Sequence, residues 1–423
     1  MAGTVESASH QGHPVVVAGA GAAGLLAALF AARAGASVVL VEGTRDGGRK
    51  ILISGGGRCN ILPSQVSPER FVTGSSPHSL RNILRAWPLA AQRAFFEQEL
   101  GMALVLEEES GKLFPETHRA RDVRDRLLAR VRGAGATTRC GTRVTGLVPP
   151  ADPTGRWRVL LSDGAPLDAS AVVLATGGLS VPSTGSDGAG LAMARALGHT
   201  VLDPYPALTP LVADPPVHAD LAGVSLTVTL RAPGARPRFE TVGGFLFTHR
   251  GYSGPAVLDA SHLAVRSPGG TARQPLTVQW TPLDAGAWES ALRTGRGNVG
   301  PSLARSMPAR LADRLLVEAG VSAGQPVAHL DRGMRQRLIT MLTAYPLPWT
   351  GHAGFHKAEV TGGGVALAEV DPRTMESRRC PRLFLCGEML DAFGPIGGHN
   401  FLWAWVTGRA AGLGAGRLDG VSG

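Results

Sequence analysis

Cysteine is scarce in this chain of 423 residues: Cys59, Cys140, Cys380 and Cys386 are the full set, with no C-x-x-C and no Cys/His cluster at zinc spacing. That argues against a disulfide framework and a zinc finger, and a reducing cytoplasm is the expected setting. Lysine is scarcer still, with only Lys50, Lys112 and Lys357 among 42 basic residues. Charged residues reach 18% and aromatics 5%, with three tyrosines, so a disordered polyelectrolyte, a coiled coil and extensive base stacking are all disfavoured. The opening MAGTVESASHQGHP has neither a basic n-region nor an apolar h-region, and no signal peptide is expected. One uncharged run, Val15 to Ala32, is long enough to pass a crude membrane test, but glycines at fingerprint spacing interrupt it. A strand, turn and helix explain it better, and no membrane partner is expected.

Glycine (57) and proline (30) are plentiful, and 44% of residues are apolar. Such a chain can bury a large core and form many tight turns. The net charge of +9 would suit nucleic acid or an acidic surface. The arginines are scattered, however, and the densest run, Arg119 to Arg132, alternates with acids and with Val123, Leu127, Leu128 and Val131 as an amphipathic helix does. The charge is read as compositional, with an RNA partner left open.

The pattern is α/β. Val15-Val16-Val17-Ala18 is a strand buried on both faces, an Ala/Leu-rich helix follows and stops at Gly35, and Val38 to Val41 completes a βαβ unit. Ser79 to Leu100 is helical with a break at Pro88. Arg156 to Leu161, a turn at Ser162-Asp163-Gly164, and Ala171 to Ala175 read as strand, turn and returning strand. Residues 200–281 hold β-rich runs, residues 286–345 are helical, and buried-strand character returns near Val360 and at Leu383 to Cys386. The expected organisation is a flexible tail at 1–13, a nucleotide-binding domain from 14–190 and 355–423, and an inserted β-rich and helical domain at 191–354. Gly412-Leu413-Gly414-Ala415-Gly416 follows no strand and reads as a loose tail.

Four motifs carry chemistry. Gly19-Ala20-Gly21-Ala22-Ala23-Gly24 lies between strand and helix: Gly19 for the turn, Gly21 for the approach of a pyrophosphate, Gly24 for helix–strand packing. The helix offers free N–H groups to phosphate, and Glu42, ending the second strand, can accept hydrogen bonds from ribose hydroxyls. Next come Gly47-Gly48-Arg49-Lys50 and, seven residues on from Lys50, Gly57-Arg58-Cys59-Asn60, a glycine-dense backbone suited to a flat ligand. Cys59 is either a small buried thiol or a redox or acid group. Third is Ala175-Thr176-Gly177-Gly178, closing a buried strand. Fourth is LFLCGEMLDAFGPIGGHN, in which Gly387 and Glu388 end a strand and Gly397-Gly398-His399-Asn400 opens a helix. Glu388 can accept from ribityl hydroxyls, and the helix dipole can stabilise a reduced flavin, which favours FAD over NAD alone.

On these residues the chain resembles the HI-0933-like bacterial flavoproteins, also described as NAD(P)/FAD-dependent or aminoacetone-oxidase-family FAD-binding proteins. The resemblance spans the chain through GAGAAG, GRKILISGGGRCN, ATGGLSVPSTGSDGAG, GFLFTHRGYSGPAVLDAS, KAEVTGGGV, TMESRRCPRLFLCGEMLD and GGHNFLWAW. It implies a glutathione-reductase-like FAD domain of Rossmann type with an insertion, and FAD contacts at Gly19, Gly21, Gly24, Glu42, Arg49, Lys50, Gly177, Glu388 and Gly397 to Asn400. Tyr commonly stands in the family where this chain has His399. In the insertion, His249 is read either as a proton donor or substrate clamp, or as a histidine ordering the domain junction. His356 and Lys357 are weaker candidates. The resemblance implies an FAD-dependent oxidoreductase passing hydride to or from a small molecule, with NAD(P)H as a transient reductant, or a reductase of uridine in ribosomal RNA. A non-catalytic FAD-binding scaffold is the alternative from another class.

Overall fold

A computed structural model describes residues 12–152, 155–267 and 273–417. Most of the expected tail, residues 1–11, lies outside the described residues. The chain divides into two compact units, Met1–Pro204 with Val360–Gly423, and Tyr205–Glu359, later on both sides than the edges expected at 190/191 and 354/355.

The first unit is built on a parallel sheet in the order Leu383–Leu385, Ala171–Leu174, Val15–Ala18, Val38–Glu42, Thr137–Cys140. Val15, Val16 and Val17 are wholly buried, which is why this strand is a continuous β-branched run with no polar alternation. From it the chain moves outward through Val38–Glu42 on one side and later returns through Ala171–Leu174 on the other. The carboxyl end of Val15–Ala18 is therefore the point where strand order reverses, the usual ligand position of an open α/β sheet.

Two expectations are corrected here. The strand returning from Trp157–Leu161 is Leu167–Ala169, in a small antiparallel sheet with Val144–Val148. Ala171–Leu174 instead joins the parallel sheet one residue later. Second, Gly412 to Gly416 is no tail but the end of a helix, His399–Gly416, buried along most of its length. Gly408, Gly412 and Gly416 face Ala23, Ala27 and Ala31 of the helix Ala22–Arg33, so the two run parallel in close contact. A methyl on Gly408 or Gly412 would stand 2.9 Å from the Cα of Ala23 or Ala27. Only glycine allows backbones to approach so closely.

The second unit holds a seven-stranded antiparallel sheet with Ser225–Ala232 and Phe239–Thr248 at its centre. Phe245, Phe247 and Trp280 fill its core together with apolar faces of the helices Ala309–Ala319 and Arg332–Thr343. Among the described residues no helix is long and apolar enough to cross a membrane.

Candidate functional site

The glycine turn at the end of Val15–Ala18 separates internal constraints from an external one. Gly19 has φ of 101°, and a methyl on it would stand 2.6 Å from the Ala175 carbonyl oxygen. A methyl on Gly24 would strike the Gly19 carbonyl oxygen. These two glycines are demanded by the fold. A methyl on Gly21 meets no protein atom within 4 Å, so the protein's own packing does not require glycine there. The helix Ala22–Arg33 has no side-chain cap and no acid in its first turn, which leaves its leading N–H groups for an anion. Ala23 does not face that space: its methyl packs under Gly387, where a Cβ would stand 2.8 Å from it.

Glu42 is buried and divides its carboxylate between two backbone donors, Ala20 N to Oε2 and Thr44 N to Oε1, each at 2.7 Å. Each oxygen retains an acceptor position for a further donor. Left-handed Gly47 and Gly48 then lead into a short helix, Arg49–Ile53. Arg49 is exposed and lies 3.5 Å from both Asp46 Oδ1 and the Ser183 carbonyl. Lys50 turns inward, with Nζ 2.5 Å from Glu388 Oε2 and 2.6 Å from Ser180 Oγ. Glu388 Oε1 accepts from Ser180 Oγ, from Thr361 N at 3.0 Å and from Thr361 Oγ1 at 2.9 Å. Ser180 and Thr361 were not foreseen; nothing in their local sequence signals the role, because topology alone delivers them. Glu388 thus spends most of its acceptor capacity on the protein, leaving one position at Oε2. Beside this cluster, Gly177 is left-handed and Thr176 Oγ1 lies 3.9 Å from the Met389 sulfur.

The glycine-dense loop is a run of three left-handed residues, Gly55, Gly56 and Gly57. Cys59 follows at φ of 60°, fully buried. Burial pushes its thiol up to about 12, which disfavours a thiolate and, of the two readings of Cys59, favours the small buried thiol over a redox nucleophile. With its amide oriented to suit its neighbours, Asn60 donates to the Leu62 carbonyl at 3.1 Å and accepts from Gly398 N at 2.9 Å. The first glycine-rich segment and the last helix therefore meet directly.

Two further expectations change in this turn. The Asn400 amide is occupied by both backbone groups of Gly394, at 2.9 and 3.0 Å, and folds the 394–398 turn. His399 is buried edge-on to Phe71; burial, aided by Arg70, pushes its imidazole down to about 4, so it stays neutral. Its ring packs the turn but leaves Nδ1 buried without a hydrogen-bond partner among the described residues, and the first turn of the helix has no side-chain cap, so both remain open to a ligand. His249 lies in the second unit, exposed at the turn between Phe239–Thr248 and Gly251–Ser253, and no hydrogen bond fixes its ring among the described residues. His356 and Lys357 are also exposed there.

An elongated dinucleotide fits this arrangement. The open side of Gly21 with free helix amides suits a pyrophosphate, the remaining acceptor positions of Glu42 suit a ribose, and the glycine loop beside the last helix suits a flat ring. Residues 13–414 match the family described as HI0933-like protein Rossmann domain. The ribosomal RNA dihydrouridine synthase of Escherichia coli K12 is 32% identical over 402 residues, covering 93% of this chain and 96% of that protein. The 3-dehydro-bile acid delta(4,6)-reductase of Clostridium scindens is 31% identical over 408 residues, covering 94% and 98%. Among solved structures, the 3-ketosteroid-delta4-(5alpha)-dehydrogenase of Rhodococcus jostii RHA1 has a TM-score of 0.53 at 16% identity and covers 98% of each chain. The open form of a flavocytochrome c3 fumarate reductase has a TM-score of 0.51 at 18% identity, covering 97% of this chain and 79% of that one. These two share the fold. The chain belongs to the HI0933-like family of FAD-binding oxidoreductases.

Proposed function

We propose that this member of the HI0933-like family is an FAD-dependent reductase of a ring carbon–carbon double bond conjugated to a carbonyl, with a uracil base of ribosomal RNA as its substrate and NAD(P)H as the electron source. Bound FAD would supply a two-electron centre that takes up and delivers hydride. The amides at the start of Ala22–Arg33 would hold the pyrophosphate, Glu42 the adenosine ribose, and the open position of Glu388 Oε2 a ribityl hydroxyl. Lys50 would keep Glu388 turned inward. Asn60 would hold the first turn of His399–Gly416 against the glycine loop, so that the positive end of the helix faces the pyrimidine ring.

The observation that carries the flavin reading is the double meeting of the chain's two ends, Lys50 with Glu388 and Asn60 with Gly398. For the reaction, the support is the names of two relatives. Making dihydrouridine from uridine and reducing a 3-oxo bile acid at its ring double bonds are both hydride additions to an alkene activated by a carbonyl. The net charge of +9 supports a polyanionic substrate over a free steroid. The test is dihydrouridine in ribosomal RNA from a strain lacking the gene, together with anaerobic bleaching of the purified flavoprotein by NADPH or NADH. Loss of one dihydrouridine with restoration by the intact gene supports the reading; an unchanged level removes RNA as the substrate. Turnover of a small cyclic enone in that case would support the second reading, which the bile acid reductase favours. A flavin that no donor bleaches would favour the scaffold.

A further inference from the structure

Lysine is so rare in this chain that its positions are informative: of three, two stand at the proposed flavin seat. Lys50 is accounted for by Glu388. Lys112 is not. It begins the strand Lys112–Pro115, paired on one side with Leu62–Pro63 and on the other with Leu104–Glu107. Alternation along the strand sends Leu113 into the core and sets Lys112 and Phe114 on the opposite face.

That face is covered by the segments proposed to hold the flavin ring. A methyl on Gly55 would stand 3.3 Å from the Phe114 ring, and the Arg58 guanidinium stacks on the same ring at 4.2 Å. A methyl on Gly397 would stand 4.0 Å from Lys112 Cγ. The Lys112 stem therefore lies against the turn that opens the last helix, on the side shared with the glycine loop.

Its ammonium has no hydrogen bond or ion pair among the described residues, although it is only partly exposed. The acid directly across the strand pair, Glu107, is already engaged: it accepts from Ser110 and from Arg58, the latter at 2.9 Å, and these hold its carboxyl below the usual range. The Lys112 charge reaches Glu107 only at a distance, as the smallest of the influences that lower that carboxyl, so its ammonium hydrogens stay available to a ligand.

Resting on the placement of FAD proposed above, we infer that Lys112 is a charge-positioning residue of the flavin seat, setting a positive charge beside the pyrimidine end of the ring. Negative charge collects at that end on reduction, or when a nucleophile adds to the ring. A fixed cation there favours the charged form in a site of low effective dielectric.

The test uses the FAD-loaded protein and sulfite, whose sulfur lone pair forms a bond to N5 of the oxidised ring and leaves the negative charge on the pyrimidine. Lys112→Met should weaken sulfite binding about tenfold or more while FAD content and thermal stability hold. Lys112→Arg should recover most of the affinity. Lys112→Met with full FAD content and sulfite binding equal to the unaltered protein overturns the inference. Asn60→Leu separates this from failure of the underlying placement. If that variant keeps its FAD and an unshifted flavin absorption band, the ring does not lie at this turn, and the inference falls with the placement.

Discussion

Lys50 Nζ lies 2.5 Å from Glu388 Oε2, an ion pair that joins the short helix Arg49–Ile53 to the turn after the strand Leu383–Leu385. Both side chains are mostly buried, so solvent screens the pair less than it would on the surface. Lys50→Met and Glu388→Gln should each lower FAD affinity and thermal stability, while the double variant loses less than the sum. The coupling should be about 2 kcal/mol, read by a double-mutant cycle on urea midpoints and FAD titrations. Strict additivity would mean the pair contributes nothing as a pair.

Gly21→Val should abolish FAD binding and leave the apoprotein folded. The space beside Gly21 is free of protein atoms, so the branched side chain collides only with a cofactor. Absorbance at the flavin band against protein absorbance, with circular dichroism of the same sample, checks both halves. Stoichiometric FAD in the variant contradicts the pyrophosphate assignment.

Gly412→Leu should act in the opposite way, on the fold first. A side chain there meets the backbone of Ala27, and overpacking of this kind costs about 3 kcal/mol. The first thermal transition should fall sharply with or without added FAD. Gly412→Ala should show a smaller shift in the same direction.

Alkylation at neutral pH should distinguish the cysteines. Cys140 is exposed and should react in the folded protein. Cys59, buried and with its thiol near 12, and Cys386, also buried and shifted upward, should react only after unfolding. Mass spectrometry of timed samples reads this directly, and Cys59→Ala should bleach with NAD(P)H within about twofold of the parent rate, because hydride uptake by the flavin needs no thiolate nucleophile.

Acid should weaken the first unit through Glu369. Burial opposes its charge, but hydrogen bonds from Arg379, Thr200 and His199 outweigh that and hold the carboxyl at about 2. A carboxyl depressed on folding contributes stability above its unfolded pKa, near 4.3, that is lost as pH falls from there toward 2. Glu369→Gln should lower the melting temperature at pH 7 and flatten its decline between about pH 5 and pH 2, the window set by those two values. An unaltered slope would show that other groups set the acid limit.

The nucleotide half was legible because its demands are local. Gly19, Gly21 and Gly24 sit at a spacing imposed by one turn, and the Val15 run announces a strand buried on both faces. Long-range features were not. Gly408, Gly412 and Gly416 mean close packing only once Ala23, Ala27 and Ala31 are known to lie opposite, and the run from Gly412 to Gly416 alone reads as loose glycine. Ser180, Thr361 and Lys112 carry no local signal, since strand order brings them to Glu388 and Gly397. Asn400 and His399 were read as facing a ligand because their motif opens a helix, but a residue that shapes a turn and one that lines a site look alike in sequence. The Ala171 strand was misassigned because the break at Ser170 is one residue long.

The pairing of Ala22–Arg33 with His399–Gly416 also fixes an order of events during synthesis. The apolar face of the earlier helix leaves the ribosome long before its mate exists, and the whole of Tyr205–Glu359 must be translated in between. At usual elongation speeds the interval between the two helices is roughly twenty to seventy seconds, during which the nascent nucleotide half waits with a greasy flank uncovered. Termination anywhere before the final helix therefore leaves Ala23, Ala27 and Ala31 without the backbone that covers them.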